Sequence, residues 1–183
     1  MNTQPSKWLK YCLDNFVDSK KTALDLACGK GRHSLYLADC GYNVLAVDIN
    51  GEHLKHFEHS RIKKINKNVE DVKNWPLYKA SFDVIVVTNF LNRSIFPLII
   101  NSINLYGYLI YETFSIGQEK IGRPSNKNFI LQTKELISLC NSLLIIKHEE
   151  VWAHTPEKQY FKQRIICKNV RSKKNKIKPY SFI

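Results

Sequence analysis

Long hydrophobic runs are missing from this chain of 183 residues. Its apolar stretches are short and interrupted, and none approaches the roughly 20 residues that a membrane-spanning helix needs, so no membrane association is expected. Paired cysteines are missing too. Cys12, Cys28, Cys40, Cys140 and Cys167 make an odd set without a C-x-x-C pair, which fits neither a disulfide framework nor a standard zinc site. They are expected to be reduced thiols in the core. The opening residues, MNTQPSKWLKYCLDNF, lack a basic segment followed by an apolar run and a small-residue cleavage site, so the expected location is the cytoplasm. No internal repeat or low-complexity linker interrupts the chain. A single domain over residues 1–183 is expected, with a basic tail from about residue 168.

Acidic residues are few, 16 against 28 lysines and arginines, giving a formal charge of +12. Such an excess ordinarily points to a polyanionic partner. Arginine is scarce, however: 6 residues against 22 lysines. Bidentate recognition of bases and phosphates favours arginine, and abundant lysine, asparagine and isoleucine together fit an A+T-rich codon bias. Much of the local excess sits in KNVRSKKNKIKPYSFI, read as a solvated basic end. Binding of RNA, DNA or an acidic surface there is the lesser alternative.

What is present is a regular alternation of short β-type runs and helical stretches, the pattern of an α/β domain with a mostly parallel sheet. An amphipathic helix from about Pro5 to Val17 leads into TALDLA as a buried strand, GRHSLYLADC as a helix and YNVLAVD as a second strand. HLKHFEH reads as a helix, RIKKIN as a weak strand and SFDVIVVTNF as a central β-branched strand. RSIFPLIINSI is expected to be helical with Pro97 in its first turn, followed by the strand YGYLIYETF, a polar loop from Ser115 to Gln132 and the helix TKELISLC. LLIIKHEEVW and QYFKQRIICKNV have no helix between them and should pair antiparallel at one sheet edge, turning near Thr155 to Lys158. The result is a Rossmann-like mixed sheet of seven strands, mostly parallel with one antiparallel strand of an edge hairpin, and helices on both faces.

The informative stretch is ALDLACGKGRHSLYLADCGYNVLAVDIN, Ala23 to Asn50. A buried strand ends in a turn containing Gly29 and Gly31, where backbone can approach a ligand that side chains would exclude. The second strand ends in Asp48, placed to accept hydrogen bonds from ribose hydroxyls. A nicotinamide fingerprint would carry a third glycine where Ser34 stands, and Asp25 at the end of the first strand suits a cation better than a pyrophosphate. S-adenosylmethionine, with its ammonium and sulfonium, fits that acid.

These residues resemble the class I S-adenosylmethionine-dependent methyltransferases, whose first motif is [DE]-x-G-x-G-x-G; Asp25, Ala27, Gly29 and Gly31 fill it, with alanine in place of the first glycine. The resemblance implies that Asp25, Ala27, Cys28, Gly29 and Gly31 surround the methionine part of the cofactor. It also implies that Asp48 and Ile49 hold ribose and one adenine face, and that Asn68 and the backbone of Val69 meet the adenine edge. His33, opening the helix after the turn, is a further cofactor or substrate contact, as is Asn89. The expected product is S-adenosylhomocysteine.

Methyl transfer from a sulfonium is an in-line displacement served mainly by alignment and desolvation, so no catalytic triad is required. Substrate contacts are expected at the carboxyl ends of the fourth and fifth strands: Asn89, Arg93, Tyr111, Glu112 and Thr113. A helix-cap role for Asn89 or Asn92 competes with this. The Asn/Asp-Pro-Pro-aromatic stretch of amino-group methylases is absent, as is a Pro-Cys pair of the cytosine-C5 type, which favours a small-molecule acceptor. Within the class, the stretch is similar to compact tellurite-resistance-type and thiol methyltransferases, implying a thiol, sulfide or related chalcogen acceptor. YETF followed by IGRPSNKNF resembles a second bacterial group and makes the polar loop a candidate lid, with Arg123 a candidate anion contact. His53, His56 and His59 are read as a solvated helical face with no metal. Alternative functions are RNA or protein methylation guided by the basic tail, and a non-catalytic cofactor-binding module.

Overall fold

The computed structural model describes residues 4–18, 21–73, 75, 82–155 and 158–170. Helix α1 spans Lys7–Phe16 and is followed by β1 (Thr22–Leu26), α2 (Arg32–Asp39), β2 (Asn43–Asp48), α3 (Gly51–Leu54), β3 (Ile62–Asn66) and β4 (Phe82–Thr88). Then come α4 (Phe96–Asn101), β5 (Ile103–Phe114), α5 (Glu135–Leu139), β6 (Leu144–Thr155) and β7 (Lys158–Lys168). The seven strands form one sheet in the order β3-β2-β1-β4-β5-β7-β6.

Strands β1 to β5 run parallel, while β7 is antiparallel to both β5 and β6. The antiparallel strand is therefore the inner member of the terminal hairpin, and β6 forms the edge. Apolar residues point to both faces of the central strands, as helix-covered parallel strands require. Leu24, Leu26, Ile85 and Val87 pack with Ile99 of α4 and Leu136 of α5 on one side. Ala23, Val84 and Val86 pack with Leu9 and Cys12 of α1 and Leu37 of α2 on the other. All five cysteines are free; only Cys40 is less than fully buried.

Two expected helices are shorter than their patterns. The one over HLKHFEH stops at Leu54 because Lys64 donates its ammonium protons to the carbonyls of Leu54 and Phe57, which a further helical turn would need. His56 and His59 thus lie beyond the helix and share no helical face with His53; among the described residues no group of three or more His, Cys, Asp or Glu could hold a metal ion. RSIFPLIINSI divides into a 3-10 turn, Arg93–Ile95, and α4, with Pro97 in its first turn. Among the described residues no helix is long and apolar enough to cross a membrane. Residues 171–183, which carry five positive charges of the proposed basic tail, lie outside the described residues.

The strand order reverses between β1 and β4. Beyond the carboxyl ends of those two strands the connections diverge to opposite sides, leaving the crevice where ligands bind in open α/β sheets.

Candidate active site

The turn after β1 is built to bring backbone close to that crevice. Ala27, Gly29 and Gly31 all have positive φ, at 55°, 55° and 77°. The two glycines differ in what they leave room for. A Cβ on Gly31 would lie 2.3 Å from the Phe57 ring, whereas one on Gly29 would meet nothing within 4 Å. Gly31 is thus required by internal packing, and Gly29 faces open space.

Asp48 ties this turn to the end of β2. Its Oδ2 accepts the Gly29 N–H at 2.7 Å and its Oδ1 accepts the Asn50 N–H at 2.8 Å. A carboxylate has about four lone-pair sites, so two remain, and the residue is 8% exposed. Beside it Ile49 is 66% exposed, an apolar side chain left uncovered at the crevice rim. Asn68 is also exposed, but its Oδ1 accepts the Glu70 N–H, and the Val69 side chain is buried in the core.

Asp25 sits beneath the turn, not in the crevice. It is 1% exposed and accepts the Ser34 hydroxyl at 2.6 Å. Burial raises its pKa to about 7 against the partial relief of the Ser34 hydrogen bonds. Cys28 packs with Ala46, Leu54 and Phe57, and burial pushes its thiol well above the ordinary range.

His33 has no free nitrogen to offer a ligand. Its Nε2 accepts the Ser6 N–H at 3.2 Å, which assigns the ring proton to Nδ1, 3.1 Å from the Thr88 hydroxyl. Burial, with the nearby Arg32 and Lys162, lowers its pKa to about 3. Between about 6.5, the ordinary value, and 3, the unfolded chain therefore binds a proton that the folded chain refuses, and stability falls as pH drops. Asp25 acts in the opposite sense: from its ordinary 3.8 up to about 7 the folded chain holds the extra proton, so stability falls as pH rises. The two slopes oppose each other over the shared window. In a His33→Gln variant the opposing His33 slope is lost, and the unfolding free energy from urea denaturation between about pH 4.5 and 6.5 should fall with rising pH relative to the wild type, by up to about 1.4 kcal/mol per pH unit.

At the ends of β4 and β5 several of the expected substrate contacts have partners within the chain. Arg93 forms a bidentate pair with Glu135, at 2.5 and 2.9 Å, and donates to the carbonyls of Asn128 and Ile130. It clamps the polar loop to α5. Tyr111 is fully buried, stacks on Phe96 with centroids 5.0 Å apart and donates its hydroxyl to the Phe90 carbonyl at 2.7 Å. Burial drives its phenol far above the ordinary range, so it is a core residue. Glu112 is also committed: Oε1 pairs with Lys162 at 2.6 Å and Oε2 accepts the Ser6 hydroxyl at 2.9 Å. Asn92 is the cap, accepting the Ser94 N–H.

Asn89 remains. It has φ 55°, is exposed, and its backbone N–H is held by the Glu112 carbonyl at 2.8 Å. It borders a cavity of about 280 Å³ whose other walls include Phe90, Leu91, Thr113 and Phe114. Pro124 and Phe129 of the polar loop complete it, so that loop is a wall of the cavity. Its neck is closed by the Ser115–Leu131 bridge, and its middle is held by Gln118, which donates to the Arg123 carbonyl and accepts the Phe161 N–H. The Arg123 side chain itself is exposed. Lys162, Gln118, Glu135 and Phe129 carry no sequence signal that marks them; Ser6, the cap of α1, stands inside the helix expected from Pro5, although a serine directly before an amphipathic run is a cap signal.

The chain shares the Rossmann-like fold of class I S-adenosylmethionine-dependent methyltransferases. It superposes on a SAM-dependent methyltransferase from Methanosarcina mazei with a TM-score of 0.70 at 17% identity, covering 92% of this chain and 100% of that one. It superposes on the N-methyltransferase NodS from Bradyrhizobium japonicum with a TM-score of 0.69 at 12% identity, covering 90% and 93%. More particularly, the chain belongs to the TehB family: the model of tellurite resistance protein TehB matches residues 14–153. A probable S-adenosyl-L-methionine-dependent methyltransferase TehB from Haemophilus influenzae is 36% identical over 95 residues, 46% of this chain. The crystal structure of TehB from that organism gives a TM-score of 0.70 at 21% identity, covering 88% of this chain and 61% of that one. The matched stretch is 33% of the curated relative's length.

Proposed function

We propose that this chain is an S-adenosylmethionine-dependent methyltransferase acting in the cytoplasm on a small-molecule nucleophile. The observation that carries the reading is the pairing of Gly29, with open space where a side chain would stand, and Asp48, which keeps two acceptor sites beside it. The residues suit the cofactor part by part. Asp48 would accept the ribose hydroxyls, and the exposed Ile49 would cover one adenine face. The Ala27–Gly31 backbone would line the methionine portion, with the buried Asp25 acting on its cationic end from below. Family membership and the S-adenosylhomocysteine complex of NodS support the same cofactor. When bound, S-adenosylmethionine supplies a methyl group on a sulfonium, activated for in-line displacement, and leaves as S-adenosylhomocysteine.

The chain's own residues then have alignment and exclusion of water to provide. Asn89 lies at the end of β4, across the strand reversal from the glycine turn, and the adjoining cavity receives the acceptor. The loop carrying Pro124 and Phe129 forms one wall of it and is tied in place by Arg93 and Gln118. Five free thiols support a reducing compartment. Incubation with methyl-labelled cofactor should transfer label to small nucleophiles and not to RNA or protein. Label recovered only in RNA or protein would overturn the choice of acceptor.

A further inference from the structure

We propose that the face formed by the polar loop after β5 and the adjoining part of β6 rests on an anionic lipid surface. The inference goes beyond the methyltransferase reading and does not depend on it. Four large apolar side chains stand in solvent on this face: Ile116 is 49% exposed, Ile121 40%, Phe129 48% and Trp152 66%. They belong to one surface. Ile116 and Trp152 line a common cavity of about 160 Å³ with Phe161, and Trp152 stacks flat on the Phe161 ring at 5.9 Å. The Ile116 N–H is held by the Leu131 carbonyl, shortly after Phe129, and Gln118 ties the middle of the loop to the Phe161 backbone.

Cations stand on the same stretch. Lys120, Arg123, Lys127 and Lys134 are exposed, and the Lys134 N–H is held by Glu150 of β6. Of the acids nearby, Glu135 is taken by Arg93, which leaves Glu119 and Glu150 against the four. The face is therefore apolar and positive at once.

A bilayer interface takes up that combination: apolar side chains enter the headgroup boundary while cations meet anionic lipid. Tryptophan suits the boundary, with an apolar ring system and one N–H for the wet side. A nucleic acid fits less well. Isoleucine offers no ring for a base to stack on, and Arg123 alone of the four cations has the fork that grips phosphate at two points. The lack of a long apolar run bears on crossing a bilayer, and resting on one needs none. Phe129 also walls the cavity beside Asn89, so the docked chain holds that wall at the lipid surface.

Trp8 and Trp75 are only 2% and 6% exposed, so emission that acrylamide quenches belongs to Trp152. The full chain is titrated with vesicles of phosphatidylglycerol and phosphatidylethanolamine in equal parts, with vesicles of phosphatidylcholine, and with polyuridylate. Anionic vesicles should shift the emission to shorter wavelength, shield it from acrylamide and carry the protein down on sedimentation. Phosphatidylcholine should do none of these, and about 1 M salt, which screens charges beyond about 3 Å, should weaken the binding. By sedimentation, Trp152→Ala should lower partitioning about tenfold through the loss of one buried aromatic, and Arg123→Gln and Lys127→Gln about fivefold each. Lys63→Gln, which alters an exposed lysine of β3 at the opposite sheet edge, should leave it unchanged. Equal losses from Lys63→Gln and Lys127→Gln would trace the attraction to net charge and overturn the proposal. So would a Trp152 that polyuridylate shields and anionic vesicles leave quenchable, or one that neither shields.

Discussion

Replacing Asp48 with alanine should weaken S-adenosylmethionine binding by about 100-fold or more. A hydrogen bond to a charged group is worth about 1.5–3 kcal/mol, and two such bonds to the sugar hydroxyls amount to at least about 3 kcal/mol, slightly over two decades in affinity. The same carboxylate holds the Gly29 and Asn50 backbones, so the variant also frees the turn that must accept the rest of the cofactor. Both effects lower affinity. Asp48→Asn separates them: its side-chain oxygen can keep one backbone contact, but its amino group opposes the other N–H. It should therefore bind with intermediate affinity. Calorimetric titration of the three proteins gives the order directly. Equal affinity for wild type and Asp48→Ala would remove Asp48 from the site.

The second large effect concerns stability. Lys162 and Glu112 form an ion pair with side-chain exposures of 7% and 10%, and Ser6 of the segment preceding α1 completes the carboxylate's shell. Lys162→Met leaves Glu112 buried without its counter-charge, a defect worth about 3–5 kcal/mol. At roughly 2–4 °C per kcal/mol for a chain of this size, the melting temperature should drop by about 10 °C. Adding Glu112→Gln to that variant removes the stranded charge and should restore at least half the loss, since the amide oxygen still accepts the Ser6 hydroxyl. A complete double-mutant cycle by urea denaturation measures the coupling. A double variant no more stable than Lys162→Met would show that the pair is not what holds this corner.

These residues also mark the limit of what the sequence discloses. The stretch from Ala23 to Asn50 was legible because strand, turn, helix and second strand are contiguous, so local pattern fixes Gly29, Gly31 and Asp48 at one sheet edge. Strand number and the closing hairpin followed from the same periodicity. Lys162 and Glu112 are 50 positions apart, and Arg93 and Glu135 are 42 apart. Their partnership depends on the register of β5 against β7 and on the path of the loop, neither of which a hydrophobic pattern encodes. Hence the intrachain partners of Arg93, Tyr111 and Glu112, expected as substrate contacts, come into view only in the structure. The helix over HLKHFEH fails for a similar reason, because Lys64 of β3 takes its terminal carbonyls. Phe129, in a loop without periodicity, becomes visible only once that loop folds over Asn89.

The central claim is that the open space over Gly29 is where the nucleoside cofactor lies, and calorimetric titration of Gly29→Leu with S-adenosylmethionine tests it most directly. The added side chain meets no protein atom at its Cβ and costs about 1–2 kcal/mol in left-handed backbone, so the variant should fold. The account predicts one equivalent bound by the wild type and no detectable binding by folded Gly29→Leu. Undiminished binding by that variant would contradict it.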